Sequence, residues 1–291
     1  MNKRPTRRSS GSNHAKTDQN SVDANDTPRF RQRLTRHIPQ RLRVTPERMG
    51  HISFLLPNLT TVMALCMGLS AVRFALLGRW EFAIGAIFVA AILDTMDGRI
   101  ARMLNSTSRF GAELDSLSDF INFGVSPALI IYFKSLHQWN GYGWLFVLYF
   151  SVCMALRLAR FNTMDIEGTS PSWSARYFVG TPAPAAAILA LTPCMIGIEF
   201  PSMTIWGAPA LNAFTLFAIG SLAISRVPTF SFKKSRINPR HLVPSFIGGA
   251  MALGLLFVEP WLTLSLISLG YLCLIPFSIR AFNFENQKKL D

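Results

Sequence analysis

Long apolar runs, separated by short polar stretches, fill the chain from residue 51 onward. Most have about the 17–25 residues that an α-helix needs to cross roughly 30 Å of hydrocarbon. A membrane-spanning backbone must satisfy its hydrogen bonds internally, so helices are favoured over irregular structure. The pattern therefore predicts an all-α, polytopic membrane bundle of about eight transmembrane helices. The predicted spans are 52–77, 80–104, 110–133, 142–161, 181–199, 206–226, 244–259 and 261–280.

The two ends of the chain have a different pattern. Residues 1–28 are rich in Ser, Asn, Asp and Thr with almost no apolar side chains, which predicts a disordered arm. Residues 29–50 mix basic side chains with apolar ones that recur every four residues, which predicts an interfacial amphipathic helix before the first span. The apolar residues are Phe30, Leu34, Ile38 and Leu42. The membrane domain is then 51–282, followed by a short cytoplasmic tail at 283–291.

The distribution of charge sets the expected orientation. The chain has a net charge of +13, and residues 1–50 hold twelve Lys and Arg against four acidic residues, a net of +8. Basic residues also concentrate in alternate connections, near 105–109, 160–180 and 226–243. Because cytoplasmic loops are enriched in Lys and Arg, we expect both termini on the cytoplasmic side of the cell membrane. The arm has almost no aromatic residues, so its charge indicates attraction to anionic lipid, with no nucleic-acid partner.

Four aspartates interrupt the apolar pattern between residues 94 and 119. Asp94 and Asp97 lie near the end of the second predicted span, and Asp115 and Asp119 near the start of the third. Spacings of three and four put each pair on one helical face, and two antiparallel helices can turn such faces toward each other. An ionised carboxylate deep in a bilayer costs roughly 2.5–3.5 kcal/mol. Four aspartates in this position therefore indicate that the site binds a positively charged group.

Divalent metal is the positive charge that fits these residues best. Carboxylate oxygens are hard ligands for Mg²⁺, Mn²⁺ or Ca²⁺, and four suffice for two ions that share ligands, as in phosphoryl-transfer sites. Gly98 and Gly111 leave room for a diphosphate beside the backbone, and the planar fork of Arg102 suits phosphate oxygens. Asp119 could ligate metal or take a proton from an attacking hydroxyl. Two alternatives stay open: acids paired with nearby arginines, and a cation-transport pathway.

The spacing of these residues resembles the signature of the CDP-alcohol phosphotransferase family. Every fixed position of D-x2-D-G-x2-A-R-x8-G-x3-D-x3-D is matched, from Asp94 to Asp119. The stretches that make the chain look like the integral-membrane phosphatidylserine synthases of that family are 57–61, 108–117, 122–128, 156–162 and 180–187. One departure is Gly180-Thr181-Pro182, where Gly-Leu-Pro is expected.

That resemblance implies an activity and a set of site residues. The implied reaction transfers a phosphatidyl group from CDP-diacylglycerol to the hydroxyl of L-serine, giving phosphatidylserine and CMP. The implied ligands of two divalent ions, Mg²⁺ or Mn²⁺, are Asp94, Asp97, Asp115 and Asp119, of which Asp119 is also the implied base. The implied CDP-binding residues are Asn58, Gly98, Ala101, Arg102 and Gly111. The resemblance is also compatible with a homodimer.

The acceptor needs partners for its charged ends. Arg157 and Arg160, one turn apart in the fourth predicted span, are candidates for the serine carboxylate or the diphosphate. Both could instead pair with the aspartates or extend to the membrane interface. Glu113 is the candidate for the serine ammonium group. A different acceptor, glycerol phosphate or inositol phosphate, remains the main alternative and would need more cationic contacts near the pocket.

Overall fold

The computed structural model describes residues 51–104, 108–139, 141–167, 177–225, 227–230 and 242–287. In chain order the elements are α1 (His51–Leu76), α2 (Trp80–Met103), α3 (Arg109–Asp119), a π-helical segment (Phe120–Val125), α4 (Ser126–Lys134), α5 (Gly141–Glu167), β1 (Tyr177–Val179), α6 (Ala183–Glu199), α7 (Pro209–Ile224), β2 (Pro228–Phe230), α8 (Leu242–Val258) and α9 (Pro260–Gln287). Short 3₁₀ turns, Leu136–Trp139 and Thr204–Gly207, follow α4 and precede α7. The predicted arm (1–28) and amphipathic segment (29–50) lie outside the described residues.

Helices coincide with all eight predicted spans, so the helical class of the prediction is confirmed. Within the described residues, four stretches are long and apolar enough to cross a membrane: Leu56–Leu76, Arg109–Lys134, Gly141–Met164 and Pro260–Arg280. Helices α6, α7 and most of α8 are apolar but shorter, and α2 has five charged residues among its 24. The chain is thus a helical membrane protein, while the count of eight crossings stays a prediction.

Small side chains let α1 and α2 pack closely. Ala71 and Ala75 on α1, and Ala83 and Ala86 on α2, are at most 4% exposed and belong to one buried cluster. In lipid, close packing of this kind is a main source of helix association. The connecting turn contains Gly78 with a φ of 70°, and its shortness makes the two helices antiparallel. The end of α2 therefore lies beside the start of α1.

Larger side chains fill the centre of the bundle, where α4, α5 and α6 meet. The largest of those that are completely buried there are Ile130, Ile131, Phe150, Met154, Leu191 and Met195. Many apolar side chains on the outer helical faces are exposed, such as Phe246 at 78% and Phe257 at 84% on α8. An apolar surface of this extent suits contact with lipid rather than with water.

The third predicted span is one continuous helical rod built from three elements. The π-helical segment joins α3 to α4, and the N–H of Ser126 donates to the carbonyl of Ile121, five residues back. Such segments widen a helix by one residue and are frequent at functional sites. The sequence predicted a span over 110–133 but not this wider turn, which begins immediately after Asp119.

A two-stranded ribbon is an addition to the predicted all-α fold. Strands β1 and β2 pair antiparallel, with Phe178 opposite Thr229. Next to the ribbon, the N–H of Gly180 donates to the carbonyl of Val227 at 2.8 Å. Gly180 has a φ of 73°, and a Cβ there would lie 2.7 Å from the carbonyl oxygen of Ala223. Glycine is therefore required at this turn, which ties the start of α6 to the end of α7.

Candidate active site

The first pair of aspartates lies in the last turns of α2. Asp97 is 4% exposed, and its Oδ2 accepts a 2.8 Å hydrogen bond from the hydroxyl of Thr61 on α1. Asp94 is partly buried one turn earlier. Because α1 and α2 are antiparallel, the start of α1 reaches this end of α2 and supplies the hydroxyl.

The second pair of aspartates follows a helix start that the sequence fixes locally. The hydroxyl of Ser108 accepts a 2.9 Å hydrogen bond from the N–H of Gly111, as expected of an N-cap residue with extended backbone. Helix α3 begins there, carries the partly buried Asp115, and ends at Asp119. The four-residue spacing from Gly111 through Asp115 to Asp119 keeps all three near one helical face.

The structure brings the two pairs together. One carboxylate oxygen from each of Asp94, Asp97 and Asp115 lies within 4.8 Å of the others. Asp119, one turn beyond Asp115, is close enough to Asp94 for the two carboxyl groups to interact electrostatically. We call these four residues the acidic cluster. It joins two helices that are neighbours in the sequence, at one depth in the bundle.

The acidic cluster fits a divalent metal. Carboxylates this close repel one another unless a cation or a shared proton lies between them. Oδ1 of Asp119 is buried and has no hydrogen-bond partner among the described residues. A buried acceptor left in this state costs about 1–3 kcal/mol, so a bound cation would stabilise it. An oxygen-only donor set is the one that Mg²⁺, Mn²⁺ and Ca²⁺ prefer.

A cavity of about 150 Å³ adjoins the acidic cluster between α1, α2 and the start of α3. Its lining residues are Pro57, Asn58, Thr61, Asp97, Gly98, Ala101, Ser108, Gly111, Ala112 and Asp115. A Cβ added to Gly98 would meet nothing within 4 Å, so any side chain there would take up cavity space. A Cβ on Gly111 would lie 2.9 Å from Oδ1 of Asn58. Four of the five predicted CDP-binding residues thus line one cavity.

Two exposed residues of the predicted site, Arg102 and Glu113, do not line this cavity. Arg102 is exposed, and its Nε donates a 3.0 Å hydrogen bond to the carbonyl of Gly98, one turn back. Glu113 is exposed on α3 and is not among the lining residues. Their proposed contacts with diphosphate and with serine stay predictions.

The two arginines of α5 have different surroundings. Arg157 is 8% exposed, donates from Nε to the carbonyl of Thr181 at 2.7 Å, and its charge acts on Asp119. Arg160 donates to the carbonyls of Ile224 and Ser225 at 2.9 and 3.3 Å, which caps the end of α7. Arg157 is therefore the arginine associated with the acidic cluster. Arg160 holds the end of another helix.

A chain of buried hydrogen bonds beneath the acidic cluster was not predicted. Nδ2 of Asn122 donates to the hydroxyl of Ser118 at 3.1 Å, and Ser118 donates to the carbonyl of Thr61 at 3.3 Å. We call Thr61, Ser118 and Asn122 the Thr61 relay. A Cβ on Gly68 would collide with Oδ1 of Asn122, so glycine makes room for it on α1. Polar residues in apolar helices commonly bond to their own backbone, so the pattern alone carries little signal for such a relay.

The fold and the site define a class: a helical membrane protein that has a carboxylate cluster beside a glycine-lined cavity. Residues 54–221 match the family model described as CDP-alcohol phosphatidyltransferase, and residues 241–276 match one described as CDP-alcohol phosphatidyltransferase 2. The first match contains the whole acidic cluster and the cavity. The chain therefore belongs to the CDP-alcohol phosphatidyltransferase family, which confirms the resemblance noted in the sequence.

Relatives of known name are similar over most of the chain. A Mycobacterium tuberculosis (strain H37Rv) protein is 37% identical over 227 residues, 78% of this chain and 79% of the relative. A Mycobacterium leprae protein is 38% identical over 225 residues, 77% of this chain and 74% of the relative. A Helicobacter pylori (strain 26695) protein is 34% identical over 219 residues, 75% of this chain and 88% of the relative. All three are named CDP-diacylglycerol–serine O-phosphatidyltransferase.

Proposed function

We propose that the chain is a CDP-diacylglycerol–serine O-phosphatidyltransferase of phospholipid biosynthesis. Its substrates are CDP-diacylglycerol and L-serine, and its products are phosphatidylserine and CMP. The observation that carries the proposal is a cluster of four aspartates beside a glycine-lined cavity, two of which, Asp97 and Asp115, line that cavity. Similarity to relatives named for this activity, over about three quarters of the chain, supports serine as the acceptor.

In the proposed reaction, the serine hydroxyl oxygen attacks the phosphorus that carries the diacylglycerol. The bond from that phosphorus to the bridging oxygen of the diphosphate breaks, and CMP leaves with the electron pair. The hydroxyl proton passes to a carboxylate of the enzyme. Because a hydroxyl is a weak nucleophile at neutral pH, a positioned base accelerates this attack. The reaction needs no covalent enzyme intermediate, so both substrates bind together.

Asp119 is the proposed base. Its buried Oδ1 lacks a hydrogen-bond partner in the described part of the chain. A carboxylate oxygen has two lone pairs, so this atom can face a cation and still accept the serine proton. Arg157 supports the role, since its positive charge acts on Asp119 from α5. We also propose that Arg157 binds the serine carboxylate. Contacts of Arg160 with backbone carbonyls favour a structural role for that residue.

The proposed metal ligands are the four residues of the acidic cluster, which together would hold two Mg²⁺ or Mn²⁺ ions. When bound, such ions neutralise the diphosphate and stabilise the charge that grows on the leaving CMP. The Thr61 hydroxyl holds the Asp97 carboxylate in place, and Ser108 holds the start of α3 on the opposite wall of the cavity. The chain thus provides a preorganised set of carboxylates for the ions, through which the diphosphate of the nucleotide lipid would be held.

The cavity is proposed to hold the diphosphate and the adjoining part of the nucleotide. Its volume of about 150 Å³ is below the roughly 300 Å³ of typical ligand pockets, so only part of CDP-diacylglycerol fits inside it. Met103 and Phe110, near the cavity on α2 and α3, are 82% and 68% exposed. This apolar surface supports a pose in which the acyl chains stay in lipid.

We further propose eight membrane crossings, with both termini and the acidic cluster on the cytoplasmic side. The concentration of Lys and Arg at the N-terminus and in alternate connections supports this orientation. A cysteine-accessibility measurement with a membrane-impermeant reagent tests it. Labelling of a cysteine placed at residue 105 from the outside of intact cells would contradict the orientation.

The function is tested with the purified full chain in detergent micelles containing CDP-diacylglycerol, labelled L-serine and Mg²⁺ or Mn²⁺. We expect labelled phosphatidylserine and equimolar CMP. Parallel reactions replace serine with glycerol 3-phosphate or inositol phosphate. If one of these acceptors gives product and serine gives none, serine is not the acceptor, but the proposed phosphatidyl transfer stands. If no acceptor is phosphatidylated, and the chain in liposomes conducts divalent cations without any nucleotide lipid, the proposal that it is an enzyme would be refuted.

A further inference from the structure

Thr61 makes a contact that its neighbour Thr60 does not. The Thr60 hydroxyl is 2.7 Å from the carbonyl of Pro57 and 3.2 Å from that of Leu56, so both of its partners belong to its own helix. The Thr61 hydroxyl also has a backbone acceptor, Pro57, at 3.0 Å, but lies closer to Oδ2 of Asp97, at 2.8 Å. A hydroxyl has one proton, and a bond to a carboxylate is stronger than one to a neutral carbonyl. Thr61 therefore donates preferentially to Asp97.

The backbone of Thr61 contacts the other half of the site. Its carbonyl accepts from Ser118, the residue before Asp119, and Ser118 in turn accepts from Asn122. Thr61, Ser118 and Asn122 are 4%, 1% and 0% exposed, so water does not compete for these bonds. One residue of α1 thus connects the α2 side and the α3 side of the acidic cluster.

We propose that Thr61 is a positioning residue that orients the Asp97 carboxylate for divalent cation binding and links it to the helix that carries Asp119. The inference rests on the proposed metal site. A carboxylate held through one oxygen has fewer orientations to lose when an ion binds, and loss of such an outer partner typically weakens metal binding 10–100-fold. Thr61 also lines the cavity proposed for the diphosphate, so its role is tested on metal binding in the absence of lipid substrate.

The test is Mn²⁺ binding to the purified full chain without lipid substrate, followed by electron paramagnetic resonance of unbound Mn²⁺. Thr61→Val keeps the branched shape and removes the hydroxyl, and we expect about 10–100-fold weaker binding. Thr61→Ser keeps the hydroxyl, so its Mn²⁺ affinity should lie within about threefold of that of the unchanged chain. This difference is well below the roughly 10–100-fold loss expected when the hydroxyl is removed. Thr60→Val is the matched control, since it removes only bonds to the backbone, and its affinity should equal that of the unchanged chain.

The Mn²⁺ affinities distinguish failure of the proposed metal site from failure of the proposed role of Thr61. If the unchanged chain and Asp97→Asn bind Mn²⁺ equally, the metal site fails and the proposed function with it. If Asp97→Asn loses binding while Thr61→Val keeps full affinity, only the role of Thr61 is overturned. Should Thr61→Val fail to fold, Thr61→Ser and Thr61→Ala replace it, because they differ only by the hydroxyl. Equal Mn²⁺ affinity in that pair would also overturn the proposal.

Discussion

Two buried polar groups lie near opposite ends of the rod formed by α3, the π-helical segment and α4, and they differ in how well their atoms are satisfied. At the far end, Nδ2 of Asn212 donates to the hydroxyl of Ser135 at 3.2 Å and to the carbonyls of Trp206 and Ala208 at 3.1 and 3.0 Å. Oδ1 of Asn212 accepts from the thiol of Cys194 at 3.7 Å. We call Ser135, Cys194 and Asn212 the Asn212 cluster.

In the acidic cluster and the Thr61 relay, by contrast, some buried oxygen atoms have no hydrogen-bond donor. Oδ1 of Asp119 and Oδ1 of Asn122 are buried without hydrogen-bond partners in the ranges that the structure describes. Near the Asn212 cluster, the buried side-chain atom without a hydrogen-bond partner is a donor, Nε1 of Trp206. Unsatisfied acceptors require a donor or a cation, whereas a satisfied amide requires nothing further. The contrast indicates a binding site at one end of the rod and a structural joint at the other.

The largest expected effect is on turnover, from Asp119→Asn. Loss of a general base commonly costs about 10²–10⁴-fold in rate, and this change also removes a proposed metal ligand. The change keeps the size of the side chain, so the protein should remain folded. Initial rates of labelled phosphatidylserine formation measure it. Glu81→Gln, an exposed acid near the other end of α2, should leave the rate unchanged; a near-normal rate for Asp119→Asn would remove the assignment of the base.

The next effect concerns stabilisation by metal. An ion that binds only the folded chain, at 100 times its dissociation constant, should add about 2.7 kcal/mol to the free energy of unfolding. We expect Mn²⁺ to raise the melting temperature of the unchanged chain, EDTA to reverse this, and Asp97→Asn to abolish it. Differential scanning fluorimetry provides the measurement. An equal rise in the Asp97→Asn variant would place the stabilising ion elsewhere.

Asn212→Leu should affect stability but not chemistry. It removes the amide whose two N–H hydrogens serve three nearby acceptors and leaves those buried acceptors without this partner, which costs about 1–3 kcal/mol. The melting temperature should fall, while activity per folded molecule stays within about twofold of normal, since the Asn212 cluster is remote from the acidic cluster. Thr215→Val is a matched change on α7, because its hydroxyl bonds only to the carbonyl of Leu211. Loss of turnover in folded Asn212→Leu protein would contradict the division of roles.

The smallest expected effect distinguishes two glycines. A Cβ on Gly98 or on Gly254 meets nothing within 4 Å, so both alanine variants should fold and gain up to about 1 kcal/mol of helix propensity. Only Gly98 lines the cavity. Gly98→Ala should therefore raise the KM for CDP-diacylglycerol about tenfold, equivalent to about 1.4 kcal/mol, and Gly254→Ala should not. Equal KM values would show that the cavity does not hold the diphosphate.

The sequence predicts the parts of this site that follow helical periodicity. Asp94, Asp97, Asp115 and Asp119 are spaced by three or four residues, and the short connection between their helices forces the pairs to face each other. Gly98 and Gly111 could be predicted for the same reason. The helical class follows from run length alone, since a lipid environment permits few other backbones.

Other features depend on contacts between residues far apart in the chain. The bond from Thr61 to Asp97 joins residues 36 positions apart, and the bonds from Arg160 to the end of α7 join residues 64 and 65 apart. Periodicity places each residue on a face but does not say which element covers that face. The roles of Thr61 and Arg160 therefore emerge only from the packed structure.

The wide turn after Asp119 has a consequence for how chain length can vary. Each residue of an α-helix turns the chain by about 100°, so removing one residue between Phe120 and Val125 would rotate everything beyond it by roughly that angle. Ser135 would swing away from Asn212 while Asp115 and Asp119 stayed in place. We expect insertions and deletions among related sequences to be absent from this rod and confined to its flanking loops, since one lost residue would uncouple its two ends.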